Sequence, residues 1–213
     1  MNSSVKSCTI FFLLLAAGCS SNKKRTFFSG TIEYAYTYES SILNSDSLKI
    51  ERPVKGFFKY DQGNYQSSFS GKDTTTYSYS GRLNKCLSQT GNTNHYECED
   101  YDVATDSVLS WKLYATGEKV LGYSCKILEM QKRNSLVKYY VSEELKIAPA
   151  TYNKHKAYNM DVYGEKTGGG LILKLEHRFK NFTMKGIAVD INKKDSRYQA
   201  FQITDSIFLN HCK

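Results

Sequence analysis

Proline is scarce. Only 2 occur in 213 residues, which excludes a proline-rich stalk or linker. No apolar run reaches the ~20 residues that a membrane-crossing helix needs, so a multi-span membrane protein is excluded. The four histidines, His95, His155, His177 and His211, are scattered, and neither HxxxH nor HExxH occurs. Among Cys86, Cys98, Cys125 and Cys212 the tightest pair is Cys86 and Cys98, too far apart for a CxxC metal site. There is no GxSxG nucleophile elbow. Gly168-Gly169-Gly170 precedes a β-prone run, whereas phosphate-cradling loops follow a strand and open a helix. The carboxylate pairs Glu97/Glu99 and Asp100/Asp102 lie in a polar stretch without the spacing of a calcium loop. The expectation is a non-enzymatic protein with no catalytic residues, metal or cofactor. Aromatic residues, by contrast, are abundant: 17 Tyr and 11 Phe rule out a purely solvating, disordered chain. The length suits one domain, and a domain of this size typically buries about 70% of its unfolded surface. A net charge of +8 among interleaved tyrosines would suit nucleic acid in principle.

The N-terminus argues against that partner. Lys6 precedes a short apolar run, residues 10–17, which ends in small residues, the layout of a secretory signal peptide. Leu15-Ala16-Ala17-Gly18-Cys19 resembles the lipobox of bacterial lipoproteins, with Ala16 where the pattern prefers a larger aliphatic residue. The resemblance implies cleavage before Cys19 and acylation of Cys19. Each buried CH₂ adds about 0.8 kcal/mol to anchoring, so two or three acyl chains hold a protein stably on a membrane. Residues 1–18 are therefore expected to be a signal peptide, residues 19–28 a lipidated cysteine and tether, and residues 29–213 a single β-rich domain. The cationic Lys23-Lys24-Arg25 belongs to the tether. Under the bacterial sorting rule that the resemblance brings with it, Ser20 in place of an acidic residue directs the protein to the outer membrane.

Setting aside Cys8 and Cys19 leaves Cys86, Cys98, Cys125 and Cys212, an even set that invites disulfides in an exported protein. Cys86 and Cys98 flank the turn-rich Gly91-Asn92-Thr93-Asn94. If the flanks form antiparallel arms, these two cysteines face each other, and closing so short a loop stabilises by ~3 kcal/mol in the chain-entropy model. Cys125 then pairs with Cys212.

Alternation with period two dominates the mature chain. Residues 31–38 place Ile32, Tyr34, Tyr36 and Tyr38 on one face. Residues 57–69 read as a hairpin around Asp61-Gln62-Gly63-Asn64, and residues 74–87 as one long β-prone stretch. Leu109, Trp111 and Leu113 share a side, as do Leu121, Tyr123, Cys125 and Ile127, and later Leu171, Leu173 and Leu175. With further strands at residues 136–141, 183–191 and 200–204, the pattern predicts about nine or ten short strands in an antiparallel sheet, sandwich or barrel. Residues 149–163 hold a short helix or an ordered loop, and residues 164–170 a flexible turn.

Gly117-Glu118-Lys119-Val120-Leu121-Gly122-Tyr123-Ser124-Cys125-Lys126 is similar to the K-x-I/V-x-G-Y-x-C-K strand of envelope proteins related to the LolA/LolB half-barrels. Lys138-Tyr139-Tyr140-Val141-Ser142 with Ile147-Ala148-Pro149 resembles the segment that follows in that group. Gly170-Leu171-Ile172-Leu173 occupies the place of its G-L-P-G-L-I stretch, without the proline, and Gly30-Thr31-Ile32-Glu33-Tyr34 fits a first strand. The resemblance implies a mainly β fold: a strongly curved antiparallel sheet, with at most one or two short helices and an apolar concave face. It also implies a lipid-anchored envelope protein that binds an apolar or lipidic ligand, such as an acyl chain, on that face. The alternative is an interaction lipoprotein that docks another envelope protein. The tyrosine face of the first strand then serves either as plain core or as the lining of a ligand site. The ligand contacts expected on the second reading are Tyr34, Tyr36, Tyr38, Trp111, Tyr123, Leu171 and Leu173.

Overall fold

The computed structural model describes residues 27–91, 93, 95–193 and 205–212. The expected anchor Cys19, the signal peptide and the strand predicted over residues 200–204 lie outside them.

The described chain is mainly β, in one open antiparallel sheet of eleven strands. β1 (Gly30–Glu39) starts in the middle of the sheet. The chain then steps outwards through β2 (Lys55–Asp61), β3 (Asn64–Ser70), β4 (Thr74–Ser80), β5 (Lys85–Thr90) and β6 (Glu97–Asp100), which forms one edge. It crosses to the other edge as β7 (Val108–Val120) and steps back through β8 (Tyr123–Lys132), β9 (Leu136–Lys146), β10 (Gly170–Arg178) and β11 (Thr183–Lys193). β11 pairs with β1, from Gly30 against Lys193 to Glu39 against Thr183, and so joins the two meanders. β6 and β7 stay apart, which leaves the sheet open as a half-barrel.

The local chemistry explains the strands. β1 alternates buried and solvated positions almost without error: Ile32, Tyr34, Tyr36 and Tyr38 point inward while Glu33 and Thr37 face water. The β2–β3 turn is the two-residue Gln62-Gly63, both at positive φ (45° and 93°), the backbone that matches the twist of paired strands. The same device joins β7 to β8 at Leu121-Gly122 (φ 51° and 83°). It removes Leu121 from the strand in which the alternation placed it and leaves it exposed. The stretch 74–87 is likewise two strands, broken where Asn84 takes φ 53°.

Among the described residues there are three short α-helices, one more than expected. α1 (Ser45–Glu51) is capped by Asn44, whose side chain accepts from the amides of Asp46 (2.8 Å) and Ser47 (3.2 Å). α2 (Met160–Thr167) follows two 3₁₀ turns and ends at the left-handed Gly168. It occupies most of the region expected to be a flexible turn. α3 (Asp205–His211) packs on β5 and β6. The segment 149–167 lies across the concave face of the sheet. There Tyr152 and His155 stack among Tyr65, Tyr79 and Tyr101, and Tyr163 meets Tyr139 edge-on.

The disulfide expectation is corrected. Cys98 is bonded to Cys212, which ties β6 to α3, and Cys86 and Cys125 are buried free thiols. The register gives the reason: Leu87, not Cys86, stands opposite Cys98, so the side chain of Cys86 points to the other face of β5. Cys86 lies in the core against Tyr79, and burial pushes its thiol up to about 12.

Candidate functional site: an aromatic cavity

A cavity of about 640 Å³ lies between the concave face of the sheet and the segment that crosses it. Consecutive strands supply its wall with side chains two residues apart: Tyr34, Tyr36 and Tyr38 from β1, Phe58 and Tyr60 from β2, Tyr65, Ser67 and Phe69 from β3, and Thr75 and Tyr77 from β4. Tyr139, Ile172, Leu175, His177 and Met184 continue the wall through β9, β10 and β11. Tyr152, His155, Tyr158 and Met160 form the opposite side. Because neighbouring strands are antiparallel, the ends of β1, β3, β5, β8 and β10 share one rim with the starts of β2, β4, β9 and β11. Lys132, His177, Met184, Tyr38, Thr75 and Thr90 stand along that rim. The loop residues Gly71, Lys72 and Asp73 and the α1 end residues Glu51 and Arg52 complete it. Tyr60, Tyr65 and Tyr152 lie at the deep end.

The hydroxyls of the wall are mostly turned into the fold. Tyr34 donates to the Ile172 carbonyl and Tyr38 to the Pro53 carbonyl, both at 2.6 Å. Tyr65 meets Nε2 of His155 at 2.9 Å, and Tyr60 meets Tyr152 at 3.4 Å. Burial raises the pKa of Tyr34, Tyr36 and Tyr65 well above the ordinary phenol value and that of Tyr139 to about 12, so the wall is neutral. The same desolvation lowers His155 to about 4 and, aided by the charge of Lys132, His177 to about 4. The cavity is therefore an uncharged aromatic surface over most of its area, with its cations near the rim.

Of the expected contact residues, Tyr34, Tyr36 and Tyr38 line the cavity. Trp111 does not. It shares a face with Met130, its pairing partner, but β7 is the sheet edge beyond α2. The Trp111 ring is 46% exposed, and Lys166 of α2 stands 4.7 Å from its centroid. Tyr123 falls on the face of β8 opposite Met130 and Lys132, with Lys193 at 5.8 Å. Leu171 and Leu173 are fully buried but are not part of the cavity wall; register shifts on either side of Ile172 turn Ile172 and Leu175 into it instead. The period-two spacing of Phe58/Tyr60 and of Tyr65/Ser67/Phe69 was a usable signal for the missed half of the wall. Lys132 gave none, since a lysine at a strand end reads as solvated. Among the described residues no group of three or more His, Cys, Asp or Glu side chains is arranged to hold a metal. Among them, too, no helix is long and apolar enough to cross a membrane.

No protein-family model matches this chain, and no curated protein is similar to it in sequence. Among solved structures it is distantly similar to PNGF-II in two crystal forms. One gives a TM-score of 0.43 at 13% identity over 79% of this chain and 29% of the other. The second gives 0.39 at 14% identity over 85% and 30%. The chain thus spans under a third of the length of the structures it matches.

Proposed function

We propose that this protein is a lipid-anchored envelope lipoprotein that binds an apolar or lipidic ligand in the aromatic cavity, without catalysing a reaction. The observation that carries the reading is the cavity itself: about 640 Å³, within the ~300–1,000 Å³ usual for small-molecule sites, and walled by aromatic side chains from consecutive strands. A well-packed interior leaves few voids larger than a water molecule, so a space of this size on the concave face suits an occupant. The lipobox-like Leu15 to Cys19 supports a membrane address, with the protein held at the outer membrane by acyl chains on Cys19. Native mass spectrometry of the purified protein tests the reading, with an apolar adduct of one ligand per chain as the expected result. Ser67, 3% exposed and paired with Phe58 and Tyr77, points into the cavity, so Ser67→Phe should fill space and lower the adduct's occupancy. No adduct, together with no uptake of added fatty acid or lipopeptide, overturns the reading.

A second reading rests on the other edge. β7 is a 13-residue terminal strand that exposes Leu109, Trp111, Leu113 and Tyr114 beside one unpaired row of backbone groups. Such an edge suits strand addition by a partner protein of the envelope. Loss of a co-purifying partner on substitution of Leu109→Lys and Leu113→Lys would favour it.

A further inference from the structure

Lys132 is anomalous in the cavity wall. It is 4% exposed, yet among the described residues no carboxylate comes within ion-pair distance of its ammonium. One N–H donates to the Tyr158 carbonyl at 2.9 Å, which leaves two donors without an acceptor among the described residues. The carbonyl is offered by an unusual backbone: Tyr158 and Asn159 both take left-handed φ (57° and 62°). Lys132 is near enough to His177 to act on it through space, and His177, whose Nε2 is 3.0 Å from the Ser135 hydroxyl, is neutral. A buried cation on a cavity wall with donors to spare is costly unless something negative comes to it. Asp106 is near enough to act on Lys132 through space but is no direct partner.

We propose that Lys132 receives the carboxylate head of an ionised amphiphile whose apolar tail runs inward along Tyr36, Phe58, Phe69 and Tyr139. The inference rests on the reading of the cavity as a site for an apolar chain and names its head group. The placement fits the geometry. Lys132 belongs to the open rim and the phenol rings to the interior, so a polar head stays near the mouth while the tail is desolvated. One uncompensated positive charge matches a monoanion; a dianionic phosphate would leave excess negative charge in the same wall near Asp106.

The test compares palmitate with methyl palmitate, which has the same chain and no charge, by titration calorimetry on the purified protein. Palmitate should bind about tenfold more tightly, or about 1.4 kcal/mol, since charge-assisted hydrogen bonds are made only to the ion. Lys132→Met should erase that preference, and Lys132→Arg should retain it. Equal affinity of the wild-type protein for the two probes overturns the carboxylate assignment and leaves the lipid reading standing. This comparison needs no variant to fold. Retention of the preference in Lys132→Met also overturns the assignment. Tighter binding of hexadecyl phosphate than of palmitate reassigns the head and overturns it too. Failure of every probe to bind removes the assignment together with the lipid reading.

Discussion

Tyr36 offers a direct probe of the cavity floor. Its ring lies across two glycines, its pairing partner Gly186 of β11 and, diagonally, Gly56 of β2, which pairs with Tyr34. A Cβ built on Gly186 would meet Cε1 of Tyr36 at 2.6 Å and Cδ1 at 2.8 Å, with Leu175 Cγ at 3.2 Å. The ring cannot slide within the sheet plane, because Tyr34 and Phe69 hold it on two sides with centroids at 6.2 Å. Its one free direction is upward into the cavity. Gly186→Ala should therefore cost about 1–3 kcal/mol of overpacking, offset by about 0.5–1 kcal/mol because alanine loses less backbone entropy than glycine in a strand. The net expectation is a destabilisation of about 1–2 kcal/mol. With Tyr36→Ala already in place the clash is gone, and the same change should stabilise by about 0.5–1 kcal/mol. The double-mutant cycle then shows a coupling of about 1.5–3 kcal/mol, read from urea midpoints at a constant slope. The lifted ring also reduces cavity space, so ligand uptake should fall in Gly186→Ala alone. Equal effects of Gly186→Ala in both backgrounds would refute the account of Tyr36 as a plate laid over glycine.

The remaining predictions concern bonds, protons and the anchor. Non-reducing peptide mapping should link Cys98 to Cys212, with Cys86 and Cys125 alkylated only after unfolding. Closing a loop with a sequence separation of 114 gives the bridge about 4–5 kcal/mol in the chain-entropy model, and a Cys86–Cys98 peptide would contradict the register. His155, 1% exposed and lowered to about 4 by burial, is neutral in the native state while the unfolded chain takes up its proton near pH 6.5. Stability should thus be full above pH 6.5 and fall towards pH 4, by on the order of 3 kcal/mol for this group. His177, held down in the same sense, adds a smaller loss of the same sign. Urea midpoints between pH 7 and pH 4 read the slope, and His155→Phe should flatten it; an unchanged slope removes His155 as its source. Cys19→Ala should abolish acyl labelling and release the protein from the membrane fraction, and persistent labelling would end the lipobox reading.

What could be read from the chain was whatever repeats locally. Alternation in residues 31–38 placed Ile32, Tyr34, Tyr36 and Tyr38 on one buried face, and its three tyrosines line the cavity. The Gln62-Gly63 hairpin and the mainly antiparallel sheet were legible for the same reason, since turn chemistry and period two are properties of neighbouring residues. Where a strand lies in the sheet is not such a property. Leu109, Trp111 and Leu113 alternate as cleanly as the tyrosines, but β7 is an edge strand and leaves them half in water. Single-residue shifts of register also escape the pattern. The bulges around Ile172 exchanged Leu171 and Leu173 for Ile172 and Leu175 in the wall, and a one-residue offset between β5 and β6 moved Cys86 away from Cys98 and left Cys212 as its partner. The burial of Lys132 and His155 was decided only when segment 149–167 folded back over the concave face. That long-range packing brings Tyr158 to Lys132 and His155 to Tyr65, across sequence distances that no local spacing encodes.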